Sequence, residues 1–235
     1  MTAPILAVTG LKREADLLAS HGLIVVPGGG DSAGLARKLE TAFLTHHPRG
    51  VVSVGLGGAL SPELAVGDWV VGDAVVEAST RWITDARWAR ALVTALSSAH
   101  LGSIAASDTM VVDATAKADL RTATRAIAVD MESHVAARFA AAHGLPFAVL
   151  RVISDGADRA LPKAAQAGMK KDGGMDILAV LKSLALDPRQ LPALIRTGRE
   201  AEVGFRRLGL LRRDDLLGRL GVGDADLGDL LVDLV

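Results

Sequence analysis

The 235-residue chain contains no cysteine and no tyrosine, and aromatic residues make up only 3% of it. Without cysteine there is neither a disulfide framework nor a thiolate metal site. That fits a reducing compartment, and a cytoplasmic protein is expected. With so few aromatic rings the core has to be built from Ala, Val, Leu and Ile, and 50% of the chain is hydrophobic. A formal net charge of −1 leaves no basic excess for a surface that binds nucleic acid. No apolar run reaches the roughly 18 residues of a membrane span. The start, "MTAPILAVTGLKREADLL", lacks the basic region and long apolar region of a signal peptide. G-x-S-x-G does not occur, which argues against a serine hydrolase, and the histidines have no metal-ligand spacing. "GLGGAL" fails the G-x-G-x-x-G dinucleotide fingerprint, and "GGGDSAG" is followed by no Gly-Lys-Ser/Thr.

What is present alternates. The apolar runs "ILAVTG" (5–10), "LIVVPGGG" (23–30), "GVVSVGLGGAL" (50–60), "AIAVD" (126–130) and "FAVLRVISD" (147–155) read as strands. Amphipathic helices are predicted between them, as in "SAGLARKLETAFLTHH" and "MESHVAARFAAAHG". Continuous apolar strands separated by helices predict a three-layer α/β/α domain around a mixed, mostly parallel sheet. Residues 66–115 are richer in strand. The catalytic domain is expected over 1–186, with 187–235 as a helical C-terminal extension.

In open α/β sheets, ligands sit beyond the carboxyl ends of the strands. The groups expected there are Glu14 after the first strand, Gly28, Gly29 and Gly30 after the second, and Gly57 and Gly58 in the third. The fourth run delivers Asp130, Met131 and Glu132, and the fifth delivers Ser154, Asp155 and Asp158. Each acid has an ordinary alternative. Asp155 fits a turn, Glu132 suits the first turn of a helix, and Glu14 fits a solvated helix face. His134 reads as a packing residue.

Four segments in order, "TGLKREADLL", "VGLGGALSPELAVGDWVVGD", "AVDMESHVAARFA" and "RVISDGAD", resemble the purine nucleoside phosphorylase and methylthioadenosine/adenosylhomocysteine nucleosidase superfamily. The resemblance covers residues 3 to about 160. It implies an enzyme that breaks the N-glycosidic bond of a 5′-substituted adenosine and releases adenine. Asp155 would serve the purine N7, with Ser154 beside it. Glu132 would hold the ribose hydroxyls, with Met131 packed on the sugar. Glu14 would activate water, and the backbone of Met110 and Val111 would contact the base. The positions that hold phosphate in family phosphorylases are Ser53 and Leu56 here, so Gly28 to Gly30 and the Gly57–Gly58 turn are the candidate phosphate loops. No cofactor or metal is implied, with inorganic phosphate the alternative co-substrate.

Helix 11–21 runs almost directly into the second strand. That shortness, Trp82 and Trp88 in the following loop, and a Leu-rich tail resemble the hopanoid-biosynthesis branch, which takes adenine from adenosylhopane. The tryptophans fit core or dimer packing as well. The expected partners are a small-molecule nucleoside, lipid-linked in that branch, and further copies of the chain. The tail, 210–235, is expected to meet a partner subunit, a lipidic substrate or a membrane surface. The alternatives are phosphorolysis of ordinary purine nucleosides and non-catalytic nucleoside binding on the same fold.

Overall fold

The computed structural model describes residues 3–19, 22–167, 173, 174, 176–213 and 217. Eight strands are present: β1 (Ile5–Thr9), β2 (Leu23–Pro27), β3 (Gly50–Ala59), β4 (Trp69–Glu77), β5 (Thr80–Ile83), β6 (His100–Ala106), β7 (Ala128–Asp130) and β8 (Phe147–Asp155). The helices are α1 (Lys12–Leu18), α2 (Ser32–His46), α3 (Ala86–Ala95), α4 (Ala114–Thr124), α5 (Ser133–Ala142), α6 (Lys163–Ala167), α7 (Ile177–Leu186) and α8 (Leu191–Arg213). A single turn of 3-10 helix, Pro188–Gln190, joins α7 to α8.

The sheet is mixed and mostly parallel, with helices around it, as the alternating pattern predicts. The pairs β1–β2, β1–β3, β3–β8, β4–β6 and β6–β7 are parallel. The pairs β3–β7, β4–β5 and β4–β8 are antiparallel. Five strands close on themselves in the order β3, β8, β4, β6, β7 and back to β3. The closing contact is short: Gly58 and Ala59, at the end of β3, pair with Val129 and Ala128. The register of β3 with β8 shifts at its end: Gly57 pairs with Ile153 and Gly58 with Asp155, so Ser154 is an extra, bulged residue of β8.

The strands are continuous apolar runs because both faces are covered. One core cluster takes Leu6, Val8, Val51, Val149 and Phe139, where α2 and α5 pack. The other takes Ile5, Val52, Trp69, Trp88 and Leu150, together with Leu208, Leu211 and Leu217 from the C-terminal region. Helix α8 lies against α1, β3 and β8, so part of the expected extension, 187–235, packs on the sheet. Trp88 stands on α3 and is 1% exposed, and Trp82 is on β5 and packs against the first cluster. Neither lies in a loop: Trp88 is a core residue of α3 and Trp82 a half-buried residue of β5. Most of the tail expected to reach a partner, 214–216 and 218–235, lies outside the described residues.

Candidate active site

Glu14 lies in the first turn of α1 and is 2% exposed. Its carboxylate is not solvated, as a helix-surface position suggested. One oxygen accepts N–H bonds from Gly10 and Leu11, each 2.8 Å, and the other accepts one from Leu56 at 2.8 Å. Gly55 leaves the room for it: a Cβ there would stand 2.9 Å from both oxygens. Burial pushes the Glu14 carboxyl up, while the three N–H donors and the nearby Arg151 pull it back.

Glu132 reaches the same turn from β7. Its oxygens lie 3.0 and 3.1 Å from where a Gly10 Cβ would be, and an N–H of Gly30 donates to it. The two carboxylates thus flank one glycine. Burial, Asp130 and Glu14 push Glu132 up to about 8, against the pull of Arg151 and Gly30. Gly29 and Gly30 adopt φ of 73° and 71°, a conformation open to glycine. The amides of Gly28 and Gly29 are bonded to the carbonyls of Thr9 and Gly10. With Gly30 turned to Glu132, all three amides of this loop have partners, and an incoming phosphate would have to displace them. Met131, half-buried, covers the loop, its Cε 3.3 Å from a Gly30 Cβ position.

Asp155 ends β8, 8% exposed, directly after the bulge at Ser154. Its Oδ2 would be 3.1 Å from a Cβ on Gly58. Ser154 donates to Asp155 Oδ1 at 2.9 Å and to the Gly57 carbonyl at 3.3 Å. Asp155 Oδ2 is held by Lys117, whose ammonium also donates to the Gly156 carbonyl at 2.8 Å. Lys117 is 1% exposed and comes from α4. Neither this helix nor this lysine was legible as part of the site. Along β3, Gly55 faces Glu14 and Gly58 faces Asp155, three residues or about 10 Å apart.

A second buried cation was also missed. Arg151 interrupts the apolar run of β8 and pairs with Asp130. It also donates to Ser53 Oγ at 2.6 Å and to the Leu150 carbonyl at 2.8 Å. Asp130 in turn accepts from the Ser133 hydroxyl at 2.6 Å at the start of α5. Sequence order hid this group, because Ser53 and Arg151 lie 98 positions apart.

Met110 and Val111 sit half-buried in the loop between β6 and α4, and Val111 packs on Leu60, Ala105, Ala126 and Val129. The loop is pinned at Asp108. That carboxylate accepts from Ser32 Oγ at 2.6 Å and pairs with His134 Nε2 at 3.0 Å. The Ser32 hydroxyl and then His134 hold the Asp108 carboxyl below its usual value. His134 is fully buried, so the packing role read from the sequence also fastens a loop at the site.

The family model for the phosphorylase superfamily matches residues 9–185. No curated protein sequence matches the chain. Among solved structures, one of a Helicobacter pylori MTAN variant with 5′-methylthioadenosine in its active site superposes with a TM-score of 0.63 at 17% identity. The match covers 79% of this chain and 100% of that one. The Streptococcus pneumoniae MTA/SAH nucleosidase with 8-aminoadenine gives 0.61 at 20% identity, covering 77% and 100%. A futalosine hydrolase mutant of Helicobacter pylori gives 0.58 at 18%, covering 66% and 91%. At these identities the likeness is one of fold.

Proposed function

The chain belongs to the phosphorylase superfamily, and from that premise we propose that it breaks the N-glycosidic bond of a 5′-substituted adenosine and releases adenine, with water as the nucleophile. One observation carries the choice of water. The amide of Leu56, on the third-strand turn where family phosphorylases are expected to hold phosphate, is bonded to the Glu14 carboxylate. A carboxylate is itself an anion and repels phosphate from that turn, but it can accept a proton from water. Ser53, the other candidate phosphate ligand, is fully buried under Arg151.

The reaction then has three tasks. Breaking C1′–N9 sends the bonding pair to the purine and leaves positive charge on the sugar. Glu132 accepts the ribose hydroxyls and faces that charge. Water adds to C1′ and gives its proton to Glu14. The departing base takes a proton at N7 from the Lys117–Asp155 pair, which Ser154 orients. The solved structures of MTA/SAH nucleosidases and futalosine hydrolase on this fold support a purine nucleoside as substrate. For the 5′ substituent we favour a bulky apolar group such as that of adenosylhopane. The support is the short connection from Leu18 at the end of α1 to Leu23 at the start of β2, which leaves no space for a covering hairpin.

The test is free adenine measured from several 5′-substituted adenosines, with and without phosphate. Equal release in both, with no phosphate in the sugar product, is expected. Release only with phosphate would overturn the assignment of water. The acid is tested in the same assay. Asp155→Asn alone strands a buried ammonium, at a cost of about 3–5 kcal/mol, so the informative variant is Asp155→Asn with Lys117→Met. It should stay folded and release no adenine; retained activity would remove the pair from the mechanism.

A further inference from the structure

Helix α7 presents its apolar side to solvent. Ile177, Leu178, Leu181 and Leu186 are exposed, Leu178 at 77% and Leu186 at 81%. At 100° per residue these four, with Ala185 and Lys182, fill one continuous half of the helix surface. No residue of α7 is fully buried, although Lys182 is the only charged residue among its ten. The apolar surface continues past the turn onto α8, where Leu191 and Ile195 stand one helical turn apart and are 47% exposed. A helix this apolar normally disappears into a core, and patches of this kind mark interaction sites.

Charge decides what the patch fits. Lys163, Lys182, Arg189, Arg196 and Arg199 stand exposed on α6, α7 and the α7–α8 elbow. Among the described residues none of the five makes an ion pair with the chain's own acids. The acids along this stretch are Asp176, which caps α7 through the Ala179 N–H, Asp187, which accepts the Arg189 N–H, and Glu200, half-buried on α8, against five exposed cations. The elbow is therefore apolar with an unneutralised basic rim. A second copy docked through a twofold axis would set that rim against itself. An anionic lipid surface satisfies both parts, taking the leucines at the acyl boundary and the basic groups at the headgroups.

We propose that the α7–α8 elbow docks this protein on an anionic membrane surface. The helix lies on the bilayer and does not enter it: no helix among the described residues is long and apolar enough to cross. Gly173, which precedes α7, touches the turn at Gly10. The Gly173 carbonyl accepts the Lys12 N–H at 3.1 Å, and a Gly173 Cβ would be 2.8 Å from the Gly10 carbonyl. Gly10 is the glycine that Glu14 and Glu132 flank. Docking would thus set the sugar end of the site close to lipid, where an apolar 5′ substituent would come from. The docking itself does not depend on the reaction assigned above.

The experiment is co-sedimentation of the full chain with phosphatidylcholine vesicles, with and without phosphatidylglycerol, at low and high salt. Binding is expected only to the phosphatidylglycerol vesicles and should weaken with salt. Leu178→Ser with Leu181→Ser should abolish it, and each of Arg189→Gln, Arg196→Gln and Arg199→Gln should weaken it about fivefold. Both residue sets are exposed, so the melting temperature and adenine release from a water-soluble adenosine should not move. Absence of binding to anionic vesicles, or binding indifferent to the serine variant, overturns the proposal. So does a serine variant that turns a dimer into a monomer in sedimentation velocity, which would give the elbow to a second copy.

Discussion

Glu132 ties the site to pH. Its carboxyl is pushed from 4.5 to about 8 by burial, with Asp130 and Glu14 adding to the effect. Between those values the folded protein holds a proton that the unfolded chain has released, so stability falls as pH rises through that window and is level outside it. The fall is on the order of a few kcal/mol, since each pH unit between the two values contributes at most about 1.36 kcal/mol. In activity the sign reverses. If Glu132 holds the ribose hydroxyls as proposed, only its ionised carboxylate can accept two of them, so kcat/KM for adenine release should climb with pH and level off above about 8. Glu132→Gln should remove the slope from urea-unfolding free energies and most of the activity. A slope that survives the substitution would assign the proton to another group. Asp130, Glu132 and Asp155 were legible because they stand at or just past the end of apolar runs, and Glu14 lies four residues beyond one. Lys117 and Arg151 were not. A lysine in a polar helix and an arginine inside a strand run show their partners, Asp155 and Asp130, only once distant segments meet.

At the scale of elements, the apolar strands announced themselves and the half-exposed pieces did not. Strand β8 is buried at eight of its nine positions and reads as one run. Helix α4 carries no apolar stripe; its one fully buried residue is Lys117, so nothing in "ATAKADLRTAT" marks a core-facing side. Strand β5 has no buried residue. The glycines of β3 were legible as a loop that lets groups approach, but what approaches is side chains: Glu14 at Gly55 and Asp155 at Gly58. That makes a sharp prediction for Gly55→Ala. Its Cβ would sit 2.9 Å from both Glu14 oxygens, between a buried carboxylate and the Leu56 amide that holds it. Overpacking of this kind costs about 1–3 kcal/mol. A displacement of Glu14 by even an ångström should lower kcat roughly a hundredfold. Unchanged kcat in a folded Gly55→Ala protein would mean that Glu14 does not need its present seat.

At the scale of the whole molecule, α8 packs on the sheet. The sequence reads 187–235 as a helical extension of the catalytic domain. Yet Leu208, on α8, is fully buried in the same cluster as Ile5, Val52 and Leu150. The helix crosses the sheet closely enough that a Gly204 Cβ would stand 2.6 Å from Leu56, the residue whose amide holds Glu14. The closed ring of strands was likewise out of reach, because it hangs on two residue pairs between β3 and β7. If α8 belongs to the catalytic core, Leu208→Ala must weaken the entire protein and not a detachable part. The cavity should cost about 2–5 kcal/mol. In urea it should appear as one transition at a lower midpoint with an unchanged slope. An early, separate transition that leaves adenine release intact would show α8 to be a dispensable extension. A single shifted transition, with activity lost in step, would show that the helix closing the core also holds the catalytic turn in place.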